Sequence, residues 1–217
     1  MRVAGKCPPE TSELRDTAEK GFEYVELYLE KQHLEDVGKA VERCRNSELE
    51  VVSVHTPHVG LDESDYFVKA DQLAERLNAY LVFHSQYLLH GCIPEIEKLG
   101  LRSDYGYENN PGISLHYLEK AILEQGHELV LDIAHMYMAN SNFPTALRSV
   151  LEERHNQIGV IHLCDSTGLE DGLCFGEGEI DMDDAMEAIK QSRYDGVVVL
   201  EVMPGCQEDA LKEWMSW

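Results

Sequence analysis

Long apolar runs are absent from this chain of 217 residues. No stretch approaches the roughly 18 consecutive apolar residues of a membrane-spanning helix. The N-terminal MRVAGKCPPE has neither the apolar core of a secretion signal nor the character of a transit peptide. The six cysteines are widely spread and include no CxxC pair. We therefore expect a cytoplasmic protein with reduced thiols and no membrane partner.

Basic residues are also scarce, since 18 lysines and arginines stand against 41 acidic side chains and leave a net charge of −23. A field of this sign repels nucleic acids and anionic membrane surfaces. The hydrophobic share of 43% is that of an ordinary globular protein with a sizeable core. The composition thus indicates an acidic globular protein and argues against a nucleic-acid partner.

Short β-branched runs alternate with amphipathic segments along the whole chain. The strand-like runs fall near 2–5, 24–29, 51–55, 80–84, 104–108, 128–132, 158–163 and 197–202. The helical segments fall near 10–20, 33–46, 66–78, 93–99, 114–125, 142–154, 182–191 and 207–215. Eight strand–helix units predict parallel strands joined by crossover helices, and eight strands close a (β/α)8 TIM barrel. We expect residues 1–217 to form one such α/β barrel of minimal size, with a doubly wound open sheet as the competing architecture.

Four potential metal ligands stand at the ends of four successive strand-like runs. They are Glu108 in YGYE, Asp132 in LVLD, His162 in GVIH and Glu201 in VVLE. A barrel would deliver all four to its catalytic end. Three carboxylates and an imidazole suit a divalent cation such as Mn, Mg, Co or Zn. We call these four residues the quartet.

Strand parity supports treating the quartet as one site. Side chains at positions i and i−2 of a strand share a face. The residues two positions before the quartet are Gly106, Val130, Val160 and Val199. All are small or β-branched, as the filled interior of a barrel requires. The pattern therefore predicts that each quartet residue caps an inward-facing apolar column.

Three histidines extend the predicted site. His55 in SVHTPH and His84 in VFHSQ end the third and fourth strand-like runs. Either they form a second site with a bridging carboxylate, which favours zinc, or they hydrogen-bond a substrate. His135 follows Asp132 on the predicted loop after the sixth strand, where it could bind a substrate hydroxyl or a further metal. For Glu26, which also points inward, we expect a structural hydrogen-bonding role.

The segments that would form the catalytic rim contain no lysine or arginine. They are 55–66, 84–97, 108–117, 132–147, 162–181 and 201–211, and the nearest bases are Lys6 and Lys31. The rim instead carries Asn109, Asn110, Asn140, Asn142, His58, His90, Tyr87 and Tyr137. Phosphodiesters need cations to position them, whereas amides, imidazoles and phenols suit neutral hydroxyls. A neutral sugar or polyol is the predicted substrate.

The order of the motifs resembles that of xylose isomerase-like TIM barrels, which include sugar isomerases, sugar epimerases and endonuclease IV. The motifs are VELYL, SVHTP, VFHSQ, YENNPG, LDIAH, IHLCD, GEGEID and GVVVLEV, from about residue 20 to 203. The resemblance implies that the quartet binds the metal of a ketose isomerase or epimerase in carbohydrate metabolism. It also implies that Glu108 and Glu201 shuttle protons through a metal-stabilised enediolate, and that His135 binds substrate.

The resemblance leaves two alternatives. The first is an endonuclease IV-like phosphodiesterase with three zinc sites. The resemblance implies that one zinc would be bound by His55, His84 and Glu108, and a second zinc by the quartet. His135 would be one ligand of the third zinc. The remaining Asp-x-His of that third site falls where this chain reads EDGLC, and no histidine follows His162. A non-catalytic barrel that binds a small molecule is the other alternative.

Two further segments carry predictions. After the seventh strand, LCFGEGEID keeps Gly176 and Gly178 but lacks the arginine and histidine that many epimerase-like relatives place there. The C-terminal EWMSW is expected to pack on the barrel exterior or to form a homodimer contact.

Overall fold

Eight parallel strands close a barrel in a computed structural model that describes residues 1–84, 86 and 91–217. The strands are β1 (Arg2–Cys7), β2 (Tyr24–Tyr28), β3 (Glu50–His55), β4 (Tyr80–Phe83), β5 (Tyr105–Glu108), β6 (Glu128–Asp132), β7 (Ile158–Leu163) and β8 (Val197–Leu200). Neighbours in sequence pair in parallel, and β1 pairs with β8 to complete the ring. The predicted TIM barrel is confirmed, and the open sheet is excluded because it would leave two strand edges unpaired.

Nine α-helices surround the strands within the described residues. They are α1 (Thr11–Glu19), α2 (Val37–Arg45), α3 (Asp65–Leu77), α4 (Ile93–Glu97), α5 (Leu115–Leu118), α6 (Ile133–Ala139), α7 (Phe143–Arg154), α8 (Met182–Gln191) and α9 (Gln207–Ser216). Helix α5 continues as a π-helical turn over Glu119–Leu123. None of the helices in these ranges is both long and apolar enough to cross a membrane.

Helix α6 corrects one prediction, because His135 lies in a helix and not in a loop. The carboxylate of Asp132 accepts a hydrogen bond from the backbone N–H of His135 at 2.7 Å, which caps the first turn. Asp132 ends its strand and begins this helix at once. A helix of seven residues that starts without a connecting loop gives little periodic signal.

The core consists of two layers separated by the strands. Inside the barrel lies a small cluster of Ala4, Val52, Val82, Val130, Val160, Val197 and Val199. Outside, the opposite faces of the strands pack against the helices in one continuous cluster that includes Phe67, Phe83 and Tyr107. The predicted inward columns are thus confirmed at Val130, Val160 and Val199. The residues two positions after these valines therefore lie at the carboxyl end of the barrel; they are Asp132, His162 and Glu201.

At the amino end of the strands, the side chain of Tyr80 packs closely against Gly159. Tyr80 packs against the interior cluster, and its hydroxyl donates to Glu128 Oε2 at 2.8 Å. A methyl group on Gly159 would overlap the Tyr80 ring.

We expect Gly159→Ala to lower the free energy of unfolding by about 1–3 kcal/mol, because a filled interior cannot accept the added volume. Urea unfolding measures this change. Gly205→Ala is the matched control, since a methyl group there meets nothing within 4 Å and should change stability by less than about 0.5 kcal/mol. Equal stability of the two variants would contradict this account of the packing.

The prediction of reduced thiols was wrong for two of the six cysteines. Cys174 and Cys206 form a disulfide whose Cα atoms are 5.6 Å apart, while Cys7, Cys44, Cys92 and Cys164 are free. The bonded residues are 32 positions apart in sequence. They meet because the loops that follow β7 and β8 are neighbours on the closed barrel. The disulfide therefore ties together two loops at the carboxyl end.

The C-terminal helix packs as predicted on the barrel exterior. Trp214 is buried, and the ammonium group of Lys190 lies 4.4 Å from the centre of its indole ring. Met215 and Trp217 remain exposed. A homodimer through these last residues stays a prediction.

Candidate active site

The quartet converges at the carboxyl end of the barrel. Glu108 and Asp132 end β5 and β6, His162 is the second-last residue of β7, and Glu201 follows β8 directly. One potential ligand atom from each residue lies within 4.8 Å of the others. Glu108, Asp132 and His162 are buried, whereas the side chain of Glu201 is 27% exposed to the cavity above.

His162 lies at the centre of this arrangement. Its Nδ1 is 2.9 Å from Glu108 Oε1, 2.7 Å from Glu201 Oε2 and 4.0 Å from Asp132 Oδ2. Its Nε2 is 3.1 Å from Glu26 Oε1 on the far side of the ring. Nδ1 therefore faces three carboxylates, and Nε2 has an acceptor of its own.

The buried charges perturb one another strongly. Burial raises the pKa of Asp132 to about 6, and the charges of Glu108 and Glu201 add to the effect. Burial acts to lower the pKa of His162, but Glu26 and Glu201 outweigh it and raise that pKa well above its usual value. Carboxylates so crowded that one of them takes up protons near neutral pH would be stabilised by a cation.

The donor set fits a divalent metal. Three carboxylates and one imidazole are ligands for hard to borderline cations. Oε2 of Glu201 is buried and has no partner in hydrogen-bond geometry among the described residues, despite its approach to His162. A cation ligated by Nδ1 of His162 would take the place of the proton there and engage this oxygen.

Lys6 enters the site, although the sequence placed it beyond the rim. Its side chain is 10% exposed, and its Nζ lies 2.6 Å from Glu201 Oε1 and 3.1 Å from Glu26 Oε1. Lys31, the other nearby base, is partly exposed and is paired with Glu63 at 2.7 Å. Both lysines are thus neutralised by carboxylates. Parity could have located Lys6, because Ala4 two positions earlier faces the barrel interior.

His55 and His84 lie beside the quartet but outside it. Their Nε2 atoms are 3.7 Å and 4.0 Å from Glu108 Oε2. His58 packs against His84, with ring centres 3.9 Å apart. Burial lowers the pKa of His84 to about 4, so this ring is neutral and can accept or donate a hydrogen bond at neutral pH. The quartet is the group that the described residues assemble with ligand atoms in mutual reach, and a second zinc at His55 and His84 stays a prediction.

His135 also lines the cavity, and both of its ring nitrogens are engaged. Its Nδ1 is 2.8 Å from the backbone oxygen of Asn109, and its Nε2 is 2.9 Å from Asp171 Oδ2. Burial acts to lower the pKa of His135, but Asp132 and Asp171 outweigh it and raise that pKa to about 10. Its imidazolium and the half-exposed Asp171 together line the cavity. The sequence analysis compared EDGLC with the third zinc site that would include His135, but it did not predict this direct contact between Asp171 and His135.

The loop over 165–181 is organised by one buried carboxylate. Asp165 Oδ1 accepts from the backbone N–H groups of Ser166 and Ile180, and Oδ2 accepts from those of Gly176 and Gly178, at 2.8–3.0 Å. A side chain on Gly178 would overlap Asp165 and the backbone of Ser166. The two glycines of GEGEID therefore serve this internal turn.

Some of the side chains predicted to bind substrate at the rim make hydrogen bonds within the protein. Asn109 is buried, and its amide bonds the backbone of Asp132 in both directions, at 2.7 Å and 2.9 Å. The hydroxyl of Tyr137 donates to Glu179 at 2.9 Å. Tyr87 and His90 lie outside the described residues. The cavity itself has a volume of about 460 Å³ and is lined by carboxylates, histidines and a few apolar groups.

The affinity of the quartet for a metal should fall steeply in acid. With the pKa of Asp132 at about 6, a cation must displace a proton from this carboxylate below that pH. We expect the affinity for Mn²⁺ to drop at least about fivefold from pH 6 to pH 5, because a group with a pKa of about 6 goes from about one half to about nine tenths protonated over this range. Calorimetric titration at pH 5, 6 and 7 measures it, and an affinity that stays constant over this range would contradict the assignment of Asp132 as a ligand.

The sequence pattern of the family described as xylose isomerase-like TIM barrel matches residues 96–217, which is more than half of the chain. The chain belongs to the xylose isomerase-like TIM barrel family. The matched region runs from α4 to α9 and contains the whole quartet. No curated protein matches the chain.

Solved structures share the fold over nearly the whole chain. An AP endonuclease of family 2 from Brucella melitensis is 16% identical with a TM-score of 0.74, over 100% of this chain and 98% of that one. A xylose isomerase domain protein from Planctomyces limnophilus is 13% identical with a TM-score of 0.70, over 99% and 94% of the two chains. A D-allulose 3-epimerase from Methylomonas sp. is 14% identical with a TM-score of 0.69, over 100% and 90%. Such low identities show the fold of the xylose isomerase-like TIM barrel family and leave the reaction open.

Proposed function

We propose that this protein is a divalent-metal-dependent isomerase or epimerase of a neutral sugar or polyol. The observation that carries the proposal is the convergence of the quartet beneath a cavity large enough for a sugar. Structural neighbours described as sugar epimerases support this class of reaction.

The quartet residues have separate roles in this proposal. Asp132 and His162 hold the metal, which when bound stabilises negative charge that develops on the substrate oxygens. Glu108 and Glu201 are both ligands and proton carriers, because exchange of a carbon-bound proton needs a carboxylate that can remove it and one that can return it. Glu201 reaches the cavity with a partly exposed side chain, while Glu108 borders the neutral His84.

The cavity charge favours an uncharged substrate. Glu30, Asp171 and three quartet carboxylates line the cavity, and the ammonium group of Lys6 is already paired with Glu26 and Glu201. This field repels phosphorylated sugars. The half-exposed Asp171, whose carboxylate His135 holds at 2.9 Å, offers an acceptor to substrate hydroxyls, so that His135 contributes to substrate binding through Asp171. His55 and His84 also line the cavity and offer imidazole nitrogens.

Solvent deuterium uptake tests the proposal. The Mn²⁺-loaded protein is incubated in D₂O with a panel of neutral ketoses, and loss of a carbon-bound proton signal is followed by NMR. We expect exchange into at least one ketose, no exchange after removal of the metal, and about one metal equivalent per chain. No exchange with any ketose, together with metal-dependent cleavage of abasic-site DNA, would overturn the proposal.

An endonuclease IV-like phosphodiesterase is the second candidate. It is favoured by the positions of His55 and His84 beside Glu108 and by the AP endonuclease-like neighbour. Two or three tightly held zinc ions per chain would support it. Absence of bound metal, with no change in melting temperature on adding cations, would instead indicate a non-catalytic binding barrel.

A further inference from the structure

Two charged residues, Lys6 in β1 and Glu26 in the middle of β2, lie directly behind the quartet. Glu26 is fully buried, and the side chain of Lys6 is 10% exposed. Nζ of Lys6 lies 3.1 Å from Glu26 Oε1. Each residue also contacts one member of the quartet, since Lys6 reaches Glu201 and Glu26 reaches His162. The pair is therefore connected to the quartet at two points.

Stability alone does not account for this pair. Two buried charges lose their hydration, and well-packed apolar residues of similar volume often stabilise a fold as well or better. Apolar side chains fit the barrel interior, because Ala4 and several valines fill the layer adjoining Lys6. The charges occur where the interior meets the quartet, which points to a role in the site.

Glu26 sets the orientation of the His162 ring. A histidine that ligates a metal through one ring nitrogen is held in place by the acceptor of the other nitrogen. Glu26 provides that acceptor through Oε2, which is 3.2 Å from Nε2, and its Oε1 lies 3.1 Å from the same nitrogen without hydrogen-bond geometry. The carboxylate is itself fixed by the hydroxyl of Ser53, which donates to Oε2 at 2.7 Å. Nδ1 is thereby directed at Glu108 and Glu201.

Lys6 binds one of the two carboxylate oxygens of Glu201 and leaves the other facing His162. Oε1 accepts from Nζ of Lys6 at 2.6 Å, and Oε2 faces Nδ1 of His162 at 2.7 Å. One oxygen is therefore held by the lysine while the other is turned towards the point that the quartet surrounds. Without Lys6, both oxygens of Glu201 would be free to turn to that point.

We propose that Glu26 and Lys6 are positioning residues that hold His162 and Glu201 ready to bind a divalent cation. The inference rests on the metal centre of the proposed function and is independent of the reaction catalysed there. Both residues act through ligands and need no contact with the metal or the substrate.

Metal affinity tests the role of Glu26. Binding of Mn²⁺ is measured by calorimetry on the full-length protein and on Glu26→Leu and Glu26→Gln, with folding checked by circular dichroism. We expect about 100-fold weaker binding for Glu26→Leu and about tenfold weaker binding for Glu26→Gln, which keeps one acceptor oxygen. Asp71→Asn is the control, because Asp71 is a buried carboxylate remote from the site that accepts from the backbone of Arg102 and Ser103.

The outcomes separate this inference from the proposed function. Folded Glu26 variants that bind Mn²⁺ within twofold of the wild type would overturn the positioning role and leave the metal centre intact. A wild-type protein that binds no Mn²⁺ would overturn the metal centre and the inference together. Loss of affinity in Asp71→Asn equal to that in Glu26→Gln would show a general effect of stability, which also overturns the inference.

The visible spectrum of bound Co²⁺ tests the role of Lys6. Its absorption weakens as the coordination number rises. We expect weaker absorption in Lys6→Met, because the freed Oε1 of Glu201 can then join the metal. Lys20→Met is the matched control, since Lys20 is a mostly buried lysine that pairs with Asp16 at 2.6 Å away from the site. Identical spectra for the wild type and Lys6→Met would overturn the role of Lys6.

Discussion

Replacement of Glu108 by glutamine is expected to lower the rate of ketose proton exchange by about 10³-fold or more, with the fold retained. Glutamine has nearly the same shape, but it cannot take up a proton, and general-base catalysis contributes about 10²–10⁴-fold. Glutamine also removes one of the negative charges that attract the cation. The rate of deuterium uptake by NMR, measured with saturating Mn²⁺, gives the effect.

Two measurements separate the lost base from a lost metal. The metal content of Glu108→Gln is determined under the assay conditions, so that the rate refers to loaded protein. Asp71→Asn provides a second buried carboxylate substitution, and we expect its exchange rate to stay within about twofold of the wild type. Exchange in loaded Glu108→Gln at more than a tenth of the wild-type rate would remove Glu108 from the role of base.

The sequence was most informative where one local rule determines the structure. Val130, Val160 and Val199 lie inside the barrel as strand parity predicts, because side chains of a strand alternate between two faces without exception unless a bulge intervenes. Parity also brought Glu108, Asp132, His162 and Glu201 to one end, where the structure places their ligand atoms together. Most of the fold could thus be predicted from two features, the alternation of side chains along each strand and the number of strand–helix units, eight, that closes a barrel.

The contacts between loops could not be predicted in this way. Asp171 reaches His135, and Cys174 reaches Cys206, because the turns after β7 and β8 fold over the end of the barrel. Turn geometry depends on backbone hydrogen bonds that have no period in sequence. Lys6 lies between these cases, since its inward face was predictable and its two carboxylate partners were not.

The loop after β7 should depend on Asp165 more than on any other side chain within it. Asp165→Ala leaves four backbone N–H groups without their acceptor, two of them from Gly176 and Gly178. Buried hydrogen bonds to a charged group are worth more than neutral ones, and unsatisfied donors add a further cost. We expect a loss of about 3–5 kcal/mol in the free energy of unfolding, measured by urea denaturation.

A capping residue of the same loop provides the matched control. Asp181 precedes α8 and accepts one backbone hydrogen bond, from Asp184 at 3.0 Å, so Asp181→Ala should cost about 1 kcal/mol. Asp165→Asn should fall between the two, because its amide keeps one acceptor oxygen. Equal losses for Asp165→Ala and Asp181→Ala would contradict the role of Asp165.

Asp165→Ala also tests whether the 165–181 loop contributes to substrate binding. Asp171 is presented to His135 by the segment between Asp165 and Leu173, which are paired by two backbone hydrogen bonds of 3.2 Å. If Asp165→Ala loosens this segment, substrate binding should weaken while the affinity of the quartet for Mn²⁺ stays unchanged, because no quartet residue lies on the loop. A rise in KM with unaltered metal affinity would therefore assign the 165–181 loop to substrate binding. Parallel loss of both would show that the loop also supports the metal centre.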